Sequence, residues 1–379
     1  MNIAFDAKRA YNNTTGLGHY SRTLIASLAT YYPEHEYFLC TPKTSNRFNT
    51  AAFQNVHAVT PQQFPAIVFK AAWRSSWVKK DLKQLNVDLY HGLSNEIPVG
   101  IEKTGIKSVV TIHDLIFEHY PKQYNPVDVQ IYRKKFRNAC IHANKIIAIS
   151  QQTKEDIIQF YKIPEKKIVV CYQACDPSFA VEVNEAEKLR VKNKYNLPEK
   201  FFLSVGSIIE RKNLLTVCKA INQLKNKLDI PLVVIGEGGK YRNEVKKFID
   251  ANGLQEKVIF LSEQYSFDSS VDFPAIYQQA LCMIYPSVFE GFGIPVLEAL
   301  WSKLPVITSN VSCLPEAGGE GALYVDPLNA KQIAEAMLQI ATENNVRKNL
   351  IIKGWQHAQN FKQQKCAADV MNVYKNLKG

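Results

Sequence analysis

The sequence lacks the features of membrane-spanning, exported and disordered proteins. No apolar run reaches the ~18 residues that a membrane-spanning helix needs. The start, Met1 to Asp6, passes straight into a strand pattern and lacks the basic region and cleavage site of an export signal. Low-complexity segments and short repeats are also absent. These absences predict a globular protein of the cytoplasm.

Motifs for metal and nucleoside-triphosphate chemistry are missing as well. The eight cysteines include no Cys-x-x-Cys pair, and Cys171 and Cys175 lack the companion His/Cys pair that zinc needs. There is no Asp-x-Asp motif and no P-loop consensus. We therefore expect no metal site, no hydrolysis of nucleoside triphosphates and reduced, mostly buried thiols.

Positive charge is in excess. The chain has 46 Lys and Arg residues against 35 Asp and Glu, which gives a net charge of +11. An excess of this size predicts an anionic partner: nucleic acid, an anionic membrane or a phosphorylated small molecule. Nucleic acid is the least favoured of the three, because the sequence has no zinc finger, RNP-type strand or long basic run.

The length and the hydrophobic pattern predict two α/β domains. A chain of 379 residues exceeds the usual size of a single core. Short apolar strands alternate with helical patterns, which is typical of parallel sheets. The pattern restarts after a polar segment, Asp176 to Lys200, that contains Pro177 and Pro198, and we place the linker there. The predicted domains are residues 1–178 and 197–358, two doubly wound Rossmann-like domains that face each other across a deep ligand cleft.

Twelve strands are predicted from this pattern. In the first domain they are 2–5, 37–40, 87–90, 107–112, 145–149 and 168–171, and in the second 201–205, 232–235, 258–261, 282–285, 305–308 and 322–325.

The segment Ser287 to Glu298 carries the clearest functional signal. It follows an apolar strand and leads into an apolar helical pattern, and it contains Gly291 and Gly293 between two acids, Glu290 and Glu298. Strand, glycine loop and helix N-terminus together form an anion site. A phosphate between two carboxylates that can bind hydroxyl groups points to a nucleotide-sugar.

Two further loops carry candidate residues. Arg211 and Lys212 follow a strand and a short turn, where cations oppose the helix dipole, so a bound anion explains their position better than a solvated helix start. Gly16 and Gly18 follow the first strand and allow a ligand close to the backbone, but the pattern alone also fits an ordinary turn.

Several motifs in a fixed order resemble one known family. They are Thr15–Arg22, Thr111–Leu115, Ala148–Ser150, Val205–Asn213, Ile235–Gly238, Ser287–Glu298 and Leu314–Ala317. Together they resemble the retaining glycosyltransferases of family 4, typified by bacterial mannosyl- and glucosyltransferases of polysaccharide assembly. The resemblance implies the two-domain arrangement named GT-B, with a C-terminal helix at about 361–379 that crosses back onto the first domain.

The resemblance also implies roles for individual residues. Arg211 and Lys212 hold the pyrophosphate of the donor, His113 and Glu290 contact the donor sugar, and Glu298 binds the ribose hydroxyls. The other donor-binding residues are Gly16, Gly18, Gly291, Phe292, Gly293 and Ile294. The implied reaction is transfer with retention from a UDP- or GDP-type sugar to a glycan or lipid-linked acceptor, without metal or cofactor.

The chain departs from the family pattern at two places. Lys303 stands at a turn before a strand where glycine is usual. If that turn needs a positive φ, Lys303 carries a strain of ~1 kcal/mol. Gln173 to Asp176 replaces the family's usual end of the first domain.

Some alternatives stay open. Phe64 to Lys80 mixes aromatic and cationic residues, which fits either weak peripheral contact with the inner face of a membrane or a core-packed amphipathic helix. The rival functions are a sugar-nucleotide epimerase or a glucan phosphorylase of the same fold, and a catalytically inactive scaffold that binds glycans or partners.

Overall fold

The computed structural model describes residues 1–267 and 271–378. The chain divides into two compact units, residues 1–175 with 361–379 and residues 176–360. Each unit is built on one sheet of parallel strands with helices packed against it. The prediction of two doubly wound α/β domains is therefore confirmed.

The first unit contains a seven-stranded sheet in the order β3-β2-β1-β4-β5-β6-β7. Its strands are β1 (Asn2–Asp6), β2 (Glu36–Cys40), β3 (Val56–Val59), β4 (Leu89–Gly92), β5 (Lys107–Ile112), β6 (Lys145–Ala148) and β7 (Ile168–Val170). The helices between them are α1 (Lys8–Asn12), α2 (Gly16–Tyr31), α3 (Lys70–Ala72), α4 (Val78–Gln84), α5 (Ile116–His119), α6 (Pro126–His142) and α7 (Gln151–Tyr161). A π-helical turn, Trp73–Trp77, joins α3 to α4.

Both faces of this sheet are covered. Ile3 and Phe5 belong to one hydrophobic cluster, whereas Ala4 between them belongs to the other. Side chains of a strand alternate between the two faces, so each cluster fills one face. Burial on both faces explains why these strands read as continuous apolar runs in the sequence.

Two of the strand predictions need correction. Strand β3 was not predicted, because it lies at the sheet edge with only Val56 buried and so has little hydrophobic pattern. Strand β4 begins at Leu89, two residues later than predicted.

The second unit contains a six-stranded sheet in the order β10-β9-β8-β11-β12-β13. Its strands are β8 (Phe202–Val205), β9 (Leu232–Ile235), β10 (Val258–Phe260), β11 (Cys282–Tyr285), β12 (Val306–Ser309) and β13 (Ala322–Val325). Its helices are α8 (Glu185–Tyr195), α9 (Leu214–Leu224), α10 (Lys240–Asn252), α11 (Leu261–Gln264), α12 (Phe273–Gln279), α13 (Ile294–Trp301), α14 (Leu314–Gly318), α15 (Ala330–Thr342) and α16 (Asn344–Ala358).

Strand order reverses once in each sheet, between β1 and β4 in the first unit and between β8 and β11 in the second. Open α/β sheets bind ligands beyond the carboxyl ends of the strands at such a switch point. We therefore expect a ligand site of the second unit at the loops after β8 and β11.

Helix α8 lies within the segment that we interpreted as a linker. The Asn184 side chain accepts a hydrogen bond from the Glu187 N–H at 2.8 Å and so caps the helix. Val191 and Tyr195 are buried. Residues 176–200 are thus a packed part of the second unit, and the high charge of the helix reflects its exposed face.

The last helix of the chain, α17 (Gln363–Lys378), belongs to the first unit. Its apolar face adds Ala367, Val370, Met371 and Tyr374 to the hydrophobic cluster that contains Ile3 and Phe5. It packs against α2.

Lys303 has a left-handed backbone conformation with φ 56°. The condition that we attached to the departure from glycine at this turn, a positive φ, is therefore met. Its ammonium group lies 5.4 Å from the ring centroid of Trp355.

All eight cysteine side chains are buried. Among the described residues, we find no helix with the length and apolar character to cross a membrane.

Candidate active site

The loop after β8 positions two cations. Beyond Val205 the chain turns at Gly206, forms a 3-10 turn over Glu210–Lys212 and starts α9 at Leu214. The Asn213 side chain donates hydrogen bonds to the carbonyl oxygens of Pro286 and Pro327, and so links this loop to the loops after β11 and β13. Arg211 is buried and Lys212 is half-buried.

Glu290 meets both cations. Arg211 Nη1 lies 2.8 Å from Glu290 Oε2, and Lys212 Nζ lies 2.7 Å from Glu290 Oε1. The Tyr285 hydroxyl donates to Glu290 Oε1 at 3.1 Å, and Lys212 Nζ contacts that hydroxyl as well. The structure therefore brings three of the predicted residues together, with Tyr285 as a fourth member that sequence reasoning missed. In the sequence, Tyr285 is recognisable only as the last residue of a predicted buried strand.

The charges in this cluster are strongly coupled. Burial by itself would raise the pKa of Glu290, but Lys212 and Arg211 outweigh burial and lower this pKa to about 2. Burial lowers the pKa of Lys212, whereas the charge of Glu290 acts in the opposite direction. Two cations face one carboxylate. Guanidinium and ammonium groups form strong hydrogen bonds with phosphate oxygens, so the cluster is suited to bind an anion.

The backbone of Glu290 is fixed by its neighbours. Its N–H donates to Ser312 Oγ at 3.2 Å, and its carbonyl oxygen lies 3.1 Å from Cys313 Sγ. Downstream, Gly293 is the N-cap residue of α13 and has φ 109°, a left-handed conformation that explains the glycine. Gly291 and Phe292 lie in the loop between Glu290 and this helix, and Ile294 is its first residue.

Glu298 has a different environment. It lies in α13, and its Oε2 accepts a hydrogen bond from the Tyr277 hydroxyl of α12 at 2.8 Å. Burial raises the pKa of Glu298 to about 7, although the Tyr277 hydrogen bond opposes this shift. Tyr277 was not among the predicted residues, because nothing in the sequence pairs α12 with α13.

A cavity of about 620 Å³ lies at the carboxyl ends of β8, β9 and β10. Its lining includes Gly206, Gly236, Ser262, Tyr265 and Phe267. A Cβ on Gly236 would lie 1.9 Å from the Gly206 carbonyl oxygen, whereas one on Gly206 would lie 3.6 Å from the Lys212 side chain. The glycines thus permit a close backbone approach and leave space beside Lys212. Gly206 and Gly236 can be recognised in the sequence as glycines that follow predicted strands. The cavity itself cannot, because it forms where the loops after β8, β9 and β10 meet.

In the first unit, His113 follows directly after β5 and is buried. His113 Nε2 lies 2.8 Å from the Leu93 carbonyl oxygen. A carbonyl only accepts, so Nε2 carries the proton and Nδ1 is the acceptor of the neutral ring. Burial lowers the pKa of His113 to about 4, which keeps the ring neutral at pH 7.

Asp114 next to His113 accepts a hydrogen bond from the Ile116 N–H at 3.1 Å. Asp114 thus caps the turn that leads into α5.

Gly16 and Gly18 differ in the space that surrounds them. Both lie at the start of α2, but a Cβ on Gly18 would lie 2.1 Å from the Asn13 carbonyl oxygen, while Gly16 has open space around it. Gly18 is therefore required by packing. Tyr20 of the same helix packs edge-on against His113 with ring centroids 4.6 Å apart.

The described part of the chain, residues 1–267 and 271–378, has no group of three or more His, Cys, Asp or Glu side chains placed to hold a metal ion.

Comparison with known proteins places these features in context. A family model described as Glycosyl transferases group 1 matches residues 185–357, and a model described as Glycosyltransferase Family 4 matches residues 14–179. The O-antigen chain mannosyltransferase B of Escherichia coli is 27% identical over 394 residues, with 100% of both chains covered.

Solved structures with a similar fold include two bacterial proteins. A glycosyltransferase from Rickettsia africae ESF-5 has a TM-score of 0.76 at 19% identity and covers 99% of this chain and 98% of its own. Anabaena Alr3699/HepE in complex with UDP-glucose has a TM-score of 0.75 at 16% identity and covers 99% of this chain and 100% of its own.

Proposed function

This chain belongs to the group 1 and family 4 glycosyl transferases, and we propose that it moves a sugar from a nucleoside-diphosphate sugar to an acceptor hydroxyl with retention of configuration. The observation that carries this proposal is the cluster of Arg211, Lys212 and Glu290 beside the cavity in the second unit. In it, two cations and a loop of glycines lie at the switch point of the sheet.

Arg211 and Lys212 bind the pyrophosphate in this proposal. Negative charge grows on the diphosphate as the bond to the sugar breaks, and fixed cations stabilise that charge most in the transition state. The backbone amides of Gly293 and Ile294 at the start of α13 add the positive end of a helix dipole. This charge supply supports a reaction that needs neither a divalent metal nor a cofactor.

We assign the nucleoside to the cavity beside Lys212. Its volume of about 620 Å³ lies within the range of ~300–1,000 Å³ typical of small-molecule sites. Glu298 binds the ribose, since a carboxylate can accept hydrogen bonds from two neighbouring hydroxyl groups.

The sugar is held by the remaining residues. Glu290 lies beside it as a permanent negative charge, and His113 accepts a hydrogen bond from a sugar hydroxyl through Nδ1. Neither residue acts as a nucleophile: the acceptor hydroxyl attacks the face that the nucleotide leaves, and a donor phosphate oxygen takes its proton.

For the substrates, we propose a GDP- or UDP-type donor and a glycan or lipid-linked acceptor of a surface polysaccharide. The name of the Escherichia coli relative supports mannose as the sugar and O-antigen as the setting. The UDP-glucose complex of the Anabaena protein supports a nucleotide-sugar donor in this fold.

A lipid-linked acceptor agrees with an exposed apolar surface on the first unit. Five large apolar side chains between residues 64 and 77 are 42% to 80% exposed: Phe64, Ile67, Val68, Phe69 and Trp77. The same segment buries Trp73 and Val78 in the core, as the interpretation of a core-packed amphipathic helix expects. Lys70 and Lys80 are exposed beside the apolar residues.

We propose that this surface rests peripherally on an anionic membrane at the inner face, where apolar side chains and lysines act together. Sedimentation with vesicles of zwitterionic and anionic lipid tests this. We expect binding that needs the anionic lipid and is lost in the Phe69→Ser/Trp77→Ser variant. Ile352→Ser, which changes an equally exposed apolar residue on α16, is the control. Equal binding by all three proteins would refute the membrane surface.

The transfer reaction is tested with a panel of GDP- and UDP-sugars, a lipid-linked glycan acceptor and EDTA. We expect one donor to be consumed in EDTA, and NMR of the product to show the anomeric configuration of the donor. Inversion, or activity only with added metal, would contradict the mechanism. Interconversion of the donor sugar without acceptor would favour an epimerase, and binding without turnover of any donor would favour an inactive scaffold.

A further inference from the structure

A buried chain of hydrogen bonds joins the C-terminal helix to the candidate site of the first unit. The Tyr374 hydroxyl of α17 lies 2.5 Å from His91 Nδ1, and His91 Nε2 lies 2.8 Å from Thr111 Oγ1. Thr111 Oγ1 lies 3.0 Å from the Tyr20 hydroxyl. Tyr374, His91 and Thr111 are fully buried.

The protons along this chain are interdependent. Burial and, to a lesser extent, His113 lower the pKa of His91 to about 3, so its ring is neutral and has one donor and one acceptor nitrogen. If Tyr374 donates to Nδ1, then Nε2–H donates to Thr111, and Thr111 in turn donates to Tyr20. If Nδ1 donates to Tyr374, every bond is reversed. A change at one end therefore affects the other end.

Tyr20 transmits this arrangement to His113. The two rings meet edge to face at an interplanar angle of 88°, and the His113 ring is held on its other side by the Leu93 carbonyl. The position of Tyr20 therefore limits how the His113 ring can turn and where its Nδ1 points.

A purely structural contact between α17 and the sheet would not need these groups. Three polar side chains in a hydrophobic core must lose their hydration and be fully paired, and an apolar replacement is commonly as stable. Tyr37 in the same cluster is a contrast, because its hydroxyl donates to the backbone carbonyl oxygens of Leu28 and Tyr32.

We propose that Tyr374 is a positioning residue of the transfer reaction, which acts through His91, Thr111 and Tyr20 to hold the His113 ring. This inference rests on the role of His113 in the proposed function. It gives the C-terminal helix a part in the chemistry, 261 positions beyond the histidine that it orients.

The test compares Tyr374→Phe with Tyr37→Phe in the full chain. Both changes remove one buried hydroxyl from the same cluster and preserve the ring. We expect kcat to fall about tenfold in Tyr374→Phe with little change in the KM of the donor, while Tyr37→Phe keeps the parent kcat. The nitrogen signals of His113, assigned with ¹⁵N-histidine and His113→Ala, should shift or broaden only in Tyr374→Phe.

Combining Tyr374→Phe with His113→Ala distinguishes a failure of the positioning role from a failure of the proposed function. In that background Tyr374→Phe should not lower kcat further, because coupled residues are not additive. Equal kcat values for the two Phe variants, or unchanged His113 signals, would overturn the positioning role. His113→Ala at the parent rate would also overturn it. An inactive parent chain counts against the proposed function alone, since the His113 signals still report the coupling.

Discussion

Glu290 and Glu298 lie eight positions apart in one loop and helix, and their environments push them in opposite directions. Glu290 faces Arg211 and Lys212, which lower its pKa to about 2. Glu298 faces the Tyr277 hydroxyl, and burial raises its pKa to about 7. Pairs of carboxyl groups separated in this way usually have different tasks.

The comparison shows that partners, rather than spacing, decide what each carboxylate can do. Glu290 keeps its charge at any physiological pH and organises the two cations around it. Glu298 can exchange a proton near neutrality. Its carboxylate contacts a neutral hydroxyl rather than cations, and such a carboxylate is suited to accept hydrogen bonds from the hydroxyl groups of a ligand. Variants of the two glutamates and of their partners test this difference.

The largest effect is expected for Glu290→Gln. The change removes the buried carboxylate that both Arg211 and Lys212 contact, which should lower the free energy of unfolding by about 3 kcal/mol. We also expect transfer to fall at least 10²-fold. Urea unfolding and a transfer assay measure both effects. A variant with parent stability would show that the carboxylate is not the counter-ion of this cluster.

The pH dependence of this loss has a definite sign. The pKa of Glu290 lies below its ordinary value of 4.5, so its contribution to stability is present above about pH 4.5 and disappears as the pH falls towards 2. The stability difference between parent and Glu290→Gln should shrink over that range, as long as both proteins remain folded.

Lys212→Met should lower the rate without unfolding the protein. Arg211 still pairs with Glu290, and the removal of a buried ammonium relieves its desolvation. We expect a ~10²-fold fall in kcat with near-parent stability. Lys219→Met, an exposed lysine of the neighbouring helix α9, is the matched control and should be unchanged. Similar kcat values for the two variants would remove Lys212 from the reaction.

Glu298→Gln should have the opposite effect on stability to Glu290→Gln. The raised pKa of Glu298 means that its favourable contribution is full below about pH 4.5 and lost as the pH rises through 7. The amide variant should therefore have a higher free energy of unfolding than the parent. This gain in stability should be larger at pH 8 than at pH 5, by about 2 kcal/mol. Urea unfolding at the two pH values measures this. A loss of stability at pH 8 would show that the carboxylate is favourably paired.

Tyr277→Phe should give the smallest effect. It removes the hydrogen bond to Glu298, which we expect to lower stability by about 1 kcal/mol at pH 8, where the carboxylate is charged. At pH 5 the neutral carboxyl accepts a weaker bond and the loss should be smaller. A loss that does not vary with pH would mean that Tyr277 acts through packing alone.

Much of the fold could be predicted from the sequence, because strands buried on both faces leave continuous apolar runs. Strand β3 was missed since only Val56 is buried. Helix α8 was interpreted as linker because its charged, exposed face hides the two buried positions, Val191 and Tyr195. At Lys303 the sequence offered only a conditional indication, the glycine that usually stands there, and the structure has a left-handed turn at that residue.

The candidate site was predictable only in part. Arg211, Lys212 and Glu290 stand out in the sequence by charge and by the glycines around them. Their partners Tyr285 and Tyr277 look like ordinary core residues until the helices and strands are packed. The same holds for His91 and Tyr374, which are 283 positions apart and meet through the fold.

We propose that Lys212 and Arg211 form a pyrophosphate site that needs no metal. This is tested by calorimetric titration of the parent chain and of Lys212→Met with UDP and GDP in EDTA. We predict that one nucleotide binds the parent chain and that Lys212→Met weakens this binding by about 30-fold, the loss of one charged hydrogen bond to phosphate. Equal affinity of both proteins, or binding that appears only when a divalent metal is added, would contradict the account.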